Sequence, residues 1–224
     1  MKEVALLGFQ GLILKYKSTL LSLVIKQKAI FKDYLGSLRP IRYFFKRKYL
    51  TKLMEKSLTK SILAGKIFIY PTDTIYGIGC DATNKKSVDK IKQIKERDAS
   101  KPLAVIAPSL DWINENLVVD CDLSKYLPGQ YTLLLKKKNP KFLSHVSSND
   151  RLGVRIPAHE FTEVIQGARV PFITTSVNLS GDPFITKIPD VPTDILEHVD
   201  HVIDYGELNG TPSTLILDGK EIKR

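Results

Sequence analysis

The feature that most constrains the fold is a short apolar run that passes directly into a polar turn. Residues 67–70 are isoleucines and aromatics, a composition typical of a strand buried on both faces of a sheet. Pro71 ends the run because proline lacks the N–H that a sheet ladder needs. Residues 72–74 then supply two hydroxyls and a carboxylate, and Gly77 and Gly79 follow. A strand that delivers polar groups at its end is a common ligand site in α/β proteins, although an ordinary capped loop has the same pattern.

Helix and strand patterns alternate from Met54 to the end of the chain. The spacing of apolar residues and the position of Gly and Pro predict both kinds of element. The predicted helices cover 57–64, 87–97, 110–117, 160–167 and 195–198, and the predicted strands cover 66–70, 103–107, 131–135, 153–156, 172–175, 201–204 and 214–217. This alternation indicates one α/β domain with a twisted sheet, and the length is sufficient for a well-buried core.

The net charge of +10 belongs to one end of the chain. Residues 1–53 hold 12 Lys and Arg against two acids, so the remaining 171 residues carry no net charge. Residues 1–53 are therefore interpreted as a basic N-terminal extension and 54–224 as the folded domain. Three interpretations of the extension remain open: a basic amphipathic segment for RNA or a membrane surface, an organelle-targeting segment, or sequence upstream of a true start at Met54.

Several function classes find no support in the motifs. Cys80 and Cys121 form no CxxC pair, which argues against a zinc ribbon or a disulfide framework and indicates a reducing, cytoplasmic location. The four histidines lack metal-ligand spacing, so no metal site formed by the protein is expected. The sequence has no GxSxG, GxGxxG or Walker A motif, and no apolar stretch long enough to span a membrane.

Cationic and hydroxyl side chains recur where predicted elements end. Lys95 and Arg97 close the second predicted helix, a position that the helix dipole also favours for basic residues. Arg155 lies in an otherwise apolar strand, where it must be paired or face a cavity because burying it alone is costly. Residues 174–181 repeat the pattern of an apolar strand followed by a polar turn, and residues 212–214 repeat it again.

These motifs resemble those of the YrdC family of threonylcarbamoyl-AMP synthases. The resemblance runs from about Leu58 to Arg224 in the family's order. It is carried by residues 71–79 (PTDTIYGIG), Lys95-x-Arg97 with 101–103 (KPL), 128–132 (PGQYT), 153–157 (GVRIP), 176–181 (SVNLSG) and 212–214 (PST). It implies a single YrdC-like α/β domain, in which a twisted mixed sheet is flanked by helices around a large concave cavity.

The implied activity is that of a nucleotidyltransferase, an L-threonylcarbamoyladenylate synthase. Such an enzyme makes its adenylate product and pyrophosphate from L-threonine, bicarbonate and ATP, with Mg²⁺ arriving on the ATP. The product serves N6-threonylcarbamoyladenosine formation at position 37 of tRNAs that read ANN codons. The chain resembles the short, single-domain members, which need partner proteins to transfer the threonylcarbamoyl group, so any contact with tRNA is expected to be indirect.

The resemblance implies two sets of ligand-binding residues. The expected ATP-binding residues are Lys95, Arg97, Lys101, Asn178, Thr186 and Arg224. The expected threonine-binding residues are Thr74, Arg155, Ser176 and Ser213, and Arg155 is suited to clamp the carboxylate. No residue is assigned as an acid or base. Lys95 and Arg97 are expected to act as electrostatic stabilisers, with proximity supplying further acceleration, and Asp73 receives no role.

The chain departs from the family pattern at two positions, and other functions remain possible. Ile106 stands where some members have a threonine-contacting His, and Arg151 where many have Thr or Ser. One alternative is an RNA-binding module of the same fold without adenylation activity. Another is the chemistry of hydrogenase-maturation carbamoyltransferases, whose CxxC fingers this sequence lacks. A third, an inactive regulatory relative, is disfavoured by the retained Lys-x-Arg and Ser-x-Asn signatures.

Overall fold

A mixed sheet forms the centre of the part of the chain that the computed structural model describes, namely residues 41–44, 52–98 and 100–222. Its strands are β1 Ile41–Phe44, β2 Phe68–Tyr70, β3 Gly77–Gly79, β4 Ala104–Ile106, β5 Leu117–Val118, β6 Tyr131–Lys137, β7 Arg151–Arg155, β8 Phe172–Ser176, β9 His201–Asp204, β10 Thr214–Leu217 and β11 Lys220–Ile222. The α-helices are α1 Lys52–Leu63, α2 Lys85–Ile94, α3 Leu110–Asn116, α4 Phe161–Gly167 and α5 Thr193–Leu196.

Neighbours in the sheet are mostly distant in sequence. The strand order is β1-β9-β2-β3-β8-β4-β7-β6-β10-β11, and β5 pairs with β6. Strand β9 is parallel to both β1 and β2, and the pairs β4–β7 and β6–β10 are also parallel. The remaining pairs are antiparallel. This order places β7 and β8 on either side of β4, and it brings the turn between β2 and β3 beside β8.

Both faces of the sheet are covered by apolar side chains. Along the first predicted strand, Ile67 and Ile69 belong to one buried cluster, and Phe68 and Tyr70 belong to a second. Successive side chains of a strand point to opposite faces, so the two clusters lie on opposite faces of the sheet. The prediction that this strand is buried on both faces is confirmed.

Helices α1 and α4 pack on the second cluster, and α2 packs on the first. Leu58 of α1 and Phe161 of α4 are fully buried with Phe68. On α2, Val88 and Ile91 are buried in the first cluster. The N-terminus of α2 is capped by the Asn84 side chain, which accepts a hydrogen bond from the Ser87 N–H at 3.2 Å, a contact worth about 1 kcal/mol.

The predicted elements are present, with shifted ends. The second predicted helix, 87–97, is found at Lys85–Ile94, and Lys95 is its C-cap residue. Glu96 then adopts a left-handed backbone with φ of 49°, so the chain turns away and Arg97 lies outside the helix. Strand β3 was not predicted, because its sequence reads as a glycine turn. Gly79 is required there, since a Cβ would lie 2.0 Å from the Ile173 oxygen.

Strand β1 lies within the range interpreted as an N-terminal extension. Ile41 aligns with His201 and Phe44 with Asp204, in parallel register with β9. The described part of the sheet therefore includes four residues upstream of Met54. The other structural expectations for residues 1–53 lie outside the described residues, apart from the first residues of α1.

Candidate functional site

A cavity lined by hydroxyls and one guanidinium lies against β7 and β8. Its polar lining consists of Thr72, Thr74, Thr132, Thr174, Thr175, Ser176, Ser213 and Arg155. The four residues predicted to bind threonine are all among them. Lys95 and Asn178 lie just outside this lining and contact Ser176 of the lining, as described below.

Most strand residues that line the cavity lie on the sheet face opposite the larger apolar cluster, although Tyr76 belongs to both the lining and that cluster. Val154 and Ile173 point into that cluster, so the next residues, Arg155 and Thr174, point to the other face. Phe172, two residues before Thr174, belongs to the cluster under α1 and α4. Arg155 and Thr174 therefore lie on the same sheet face as the cluster on which those two helices pack.

The turn after β2 holds Thr74 through its neighbour Thr72. The Thr72 hydroxyl donates to the Ile75 carbonyl at 2.8 Å and accepts from the Thr74 N–H at 3.1 Å. The two threonine hydroxyls lie 2.8 Å apart. Since the Thr72 proton is already donated, the Thr74 hydroxyl is the donor between them, because each hydroxyl has one proton and two lone pairs. Thr74 is left with lone pairs for other donors.

Arg155 is buried and paired with Asp73. Its Nη2 donates to Asp73 Oδ1 at 2.6 Å, and the two side chains are 6% and 7% exposed. Its Nη1 reaches the Thr74 hydroxyl at 3.4 Å. Its Nε is buried and has no hydrogen-bond partner among the described residues. Burial lowers the pKa of Arg155 and the adjacent Asp73 carboxylate opposes that shift, so the guanidinium stays charged and retains donor capacity.

Asp73, to which the sequence assigned no role, pairs with the buried Arg155 of the cavity lining. Its Oδ2 accepts from the Ala158 N–H at 2.9 Å, and its main-chain oxygen accepts from Gln130 Nε2 at 2.8 Å. The one sequence feature that could have indicated a role for Asp73 was its position between Thr72 and Thr74 in the 71–79 motif. The partner, 82 positions away, could not be inferred from the motif.

Ser213 is held against the cavity by Thr132. Their hydroxyl oxygens are 2.8 Å apart, and both side chains are buried. The contact follows from the parallel pairing of β10 with β6, in which Thr214 aligns with Tyr131. Thr132 lies in the motif 128–132, but nothing in the sequence shows that β6 and β10 are neighbours.

Lys95 is buried beneath the turn that follows β8. Its Nζ donates to the main-chain oxygens of Ser176 and Asn178, the latter at 2.5 Å, and approaches Asn178 Oδ1 at 3.4 Å. The Ser176 hydroxyl donates to Asn178 Oδ1. Burial, with a smaller contribution from the charge of Arg97, lowers the pKa of Lys95 to about 8. The structure thus joins the Lys-x-Arg and Ser-x-Asn signatures into one cluster.

The other residues predicted to bind ATP are less directly connected to the cavity. Arg97 is half-buried, its Nη2 donates to the Pro102 carbonyl at 2.8 Å, and burial lowers its pKa. Lys101 is exposed on the following turn. Thr186 is half-buried, and its main-chain oxygen accepts from the Leu208 N–H at 2.9 Å. Arg224 lies outside the described residues.

The two positions that depart from the family pattern have structural contacts. Ile106 is fully buried in the cluster with Phe68. Arg151 donates to the Leu134 carbonyl at 2.9 Å and pairs with Asp218 at 3.0 Å. Neither residue lines the cavity.

Fold and cavity together define an α/β domain whose polar cavity presents a buried cation among hydroxyl groups. The chain belongs to the Sua5/YciO/YrdC family, whose model, described as "Telomere recombination", matches residues 60–223. A Methanocaldococcus jannaschii relative is 38% identical over 165 residues, which cover 71% of this chain and 77% of that protein. A Pseudoalteromonas atlantica protein named threonylcarbamoyl-AMP synthase is 29% identical, covering 67% of this chain and 84% of its own.

Solved structures share the fold. Pyrococcus abyssi Sua5 complexed with L-threonine superposes with a TM-score of 0.65 at 28% identity, covering 81% of this chain and 54% of that chain. This chain therefore spans about half the length of that protein. Escherichia coli YciO has a TM-score of 0.69 at 23% identity, covering 82% of this chain and 93% of that chain, a likeness that concerns the fold alone.

The comparisons confirm the predicted family and the predicted mixed α/β fold. The names of the relatives are those of synthases, which agrees with the predicted nucleotidyltransferase class. Among the described residues, no helix combines the length and apolar character needed to cross a bilayer.

Proposed function

We propose that this chain is a threonylcarbamoyl-AMP synthase, which converts L-threonine, bicarbonate and ATP into L-threonylcarbamoyladenylate and pyrophosphate. The observation that carries the proposal is that Thr74, Arg155, Ser176 and Ser213, which are far apart in sequence, line one cavity. These are the residues that the family resemblance assigned to threonine. The relatives named as synthases and the threonine complex of P. abyssi Sua5 support the assignment.

The cavity offers complementary groups to an amino acid. The charged Arg155 lines the cavity, and its Nη1 makes only a long contact of 3.4 Å with the Thr74 hydroxyl, so this donor can turn to a carboxylate. The Thr74 hydroxyl donates to Thr72 and therefore faces other groups as an acceptor, which suits an ammonium or amine. Ser213 and Ser176 add hydroxyls for the side chain or the reacting carbonyl group.

ATP is proposed to bind beside the threonine cavity, along the cluster of Lys95, Arg97 and Asn178. Lys101 lies exposed on the adjoining turn. Thr186 follows Ile185, whose main-chain oxygen accepts from the N–H of Tyr76 in the cavity lining at 3.2 Å. Both are proposed to contact the nucleotide. In the described structure the Lys95 ammonium is occupied by three protein oxygens. Its positive charge therefore acts on the phosphates while it holds the Ser176–Asn178 turn. Arg97 retains an unpartnered buried Nε among the described residues.

Mg²⁺ is proposed to arrive with ATP. Across residues 41–44, 52–98 and 100–222, no group of three or more His, Cys, Asp or Glu side chains is arranged to hold a metal ion. The groups next to the proposed phosphate site are cationic, which suits phosphate oxygens that carry their own metal. When bound, Mg²⁺ would neutralise charge on the phosphates.

The proposed chemistry uses two steps. The threonine amine attacks the carbon of bicarbonate and water leaves, which produces a carbamate. A carbamate oxygen then attacks the α-phosphorus of ATP, the bond to the β-phosphate oxygen breaks, and pyrophosphate leaves. Holding the reactants together and stabilising the developing charge supply the acceleration, and no side chain is assigned as acid or base.

The fate of the product is a further part of the proposal. The adenylate would serve N6-threonylcarbamoyladenosine formation at position 37 of tRNAs that read ANN codons, through separate transferase proteins. The cytoplasmic location also stays a prediction.

Pyrophosphate release from ATP tests the proposal. Purified protein should release pyrophosphate only when L-threonine, bicarbonate and Mg²⁺ are all present, and omission of each in turn should abolish it. Salt-sensitive binding of duplex RNA without any pyrophosphate release would instead support an RNA-binding module.

A further inference from the structure

We propose that Asp73 is a positioning residue that holds the Arg155 guanidinium in the orientation that binds the carboxylate of L-threonine. This inference rests on the proposed function, in which Arg155 is the carboxylate clamp. It assigns a role to the residue of the 71–79 motif that had none.

The contact between the two residues is short and buried. Asp73 Oδ1 lies 2.6 Å from Arg155 Nη2, with both side chains less than a tenth exposed. Charge-assisted hydrogen bonds at such distances are the stronger ones, and they restrict the orientation of the planar guanidinium.

Asp73 is itself held by two other parts of the chain. Its second carboxylate oxygen accepts from the Ala158 N–H, and its main-chain oxygen accepts from Gln130. These partners belong to two separate segments, one after β7 and one before β6. A carboxylate anchored in this way can hold a long arginine side chain in one position.

The three guanidinium nitrogens of Arg155 differ in how strongly they are bonded to other residues. Nη2 is committed to Asp73, Nη1 makes a long contact of 3.4 Å with the Thr74 hydroxyl, and Nε has no partner among the described residues. An arginine that served only to neutralise Asp73 would not need to line a cavity. The geometry therefore leaves the Nη1 donor, whose contact with Thr74 is long, for a ligand.

The negative charge of Asp73 also stabilises the charged guanidinium of Arg155 in its buried position. Burial without a partner disfavours a guanidinium strongly, and Asp73 opposes the effect of burial on the pKa of Arg155. Asp73 therefore keeps the cation inside the cavity when no ligand is present. Without it, we expect the guanidinium to leave its buried position.

Titration calorimetry on the full chain tests this role with two ligands. L-Threonine has the carboxylate, and L-threonine amide lacks that charge. For Asp73→Asn, the dissociation constant for L-threonine should rise about tenfold or more, as expected from the loss of one charge-assisted hydrogen bond. Binding of the amide should change little, so the preference for threonine over its amide should decrease. A general loosening of the cavity would weaken both ligands equally and would overturn the proposal.

Asp218→Asn is the matched control. Asp218 pairs with Arg151, which begins β7, the strand that ends at Arg155. The pair lies outside the cavity, and Asp218 is 57% exposed. This variant should bind both ligands like the wild type. Arg155→Lys provides a second measurement, because Asp73→Asn should add little in that background if the two residues act through each other.

The outcomes separate the two proposals. If the wild type binds L-threonine and Asp73→Asn binds it equally well or more tightly, only the role of Asp73 is overturned. If the wild type fails to bind L-threonine, the proposed function is overturned and the role of Asp73 with it. Steady-state kinetics add a check, since KM for threonine should rise while KM for ATP stays unchanged.

Discussion

The Nζ atom of Lys95 lies 2.5 Å from the main-chain oxygen of Asn178 and links the end of α2 to the turn after β8. The residues are 83 positions apart, and both belong to motifs that the family resemblance assigned to ATP. The lysine therefore has a structural task in addition to the proposed electrostatic one. It satisfies oxygens of a turn that also contains Ser176.

The pH dependence of stability should report the burial of Lys95. Its pKa of about 8 lies below the value of about 10.4 for a lysine in an unfolded chain. Between these values the unfolded state binds more protons, so the contribution of Lys95 to the free energy of unfolding should rise as the pH increases from about 8 to about 10. Below pH 8 the cost of burying the charge is fully present.

Denaturant unfolding of the wild type and Lys95→Met measures this contribution. The difference in free energy of unfolding between the two should change in favour of the wild type across that pH range. Parallel pH profiles for the two proteins would show that Lys95 does not titrate in this way.

Arg97→Ala should reduce pyrophosphate release without unfolding the domain. Arg97 is half-buried, and among the described residues its side chain donates one hydrogen bond, to the Pro102 carbonyl. Loss of a cation at a phosphate should lower kcat/KM for ATP by about tenfold or more. Arg151→Ala, which removes an arginine outside the cavity, is the control and should retain activity. Unchanged ATP- and threonine-dependent release by Arg97→Ala would contradict the ATP assignment.

Gly210→Ala should damage both stability and threonine binding. A Cβ at this position would lie 2.2 Å from the Thr74 carbonyl oxygen, so the segment before β10 or the Thr74 turn must move. We expect a loss of about 1–3 kcal/mol in free energy of unfolding, together with weaker binding of L-threonine. Calorimetry and denaturant unfolding measure the two effects.

The control for this substitution is Gly167→Ala. Gly167 lies in α4, and among the described residues a Cβ added there would meet the Thr59 hydroxyl at an ordinary distance of 3.6 Å. Alanine favours a helix, so this variant should be neutral or slightly more stable. Equal effects of the two substitutions would show that the close approach to Thr74 is not the cause.

The hydrogen bond between Thr132 and Ser213 should be measurable by a double-mutant cycle. Removal of either hydroxyl leaves the other buried without its partner, at a cost of about 1 kcal/mol or more. Ser213→Ala and Thr132→Val should therefore be less than additive in free energy of unfolding. Ser124→Ala, at an exposed Asp122 contact, is the control. Strict additivity would show that the two hydroxyls are not coupled.

Removal of β1 should destabilise the domain. A variant beginning at residue 40 keeps this strand, and one beginning at Met54 lacks it and exposes the edge of β9. The shorter variant should lose about 1 kcal/mol or more in free energy of unfolding, since its β9 loses ladder hydrogen bonds. Equal midpoints of denaturation would show that β1 contributes nothing. N-terminal mass spectrometry of the natural protein would independently show whether residues 2–53 are retained.

The sequence by itself determined the alternation of elements, the family and the identities of the polar residues. These properties follow from local patterns: the apolar periodicity of α2, Pro71 at the end of a buried strand, and motifs such as 153–157, which can be recognised within a few consecutive residues. The ends of elements were less well predicted. For example, the chain leaves the α2 direction at Glu96 through a left-handed backbone conformation that no sequence motif predicts. Strand β3 was missed because its glycines also suit a turn.

Only the tertiary structure decided which of those residues meet. The pairing of Asp73 with Arg155, of Thr132 with Ser213, and of Lys95 with the Asn178 turn each joins segments more than 80 positions apart. Such contacts depend on the order and register of strands in the sheet, which arise from the packing of both apolar faces at once. A local pattern carries no information about that order, and so Asp73 acquired a partner and a proposed role only in the folded chain.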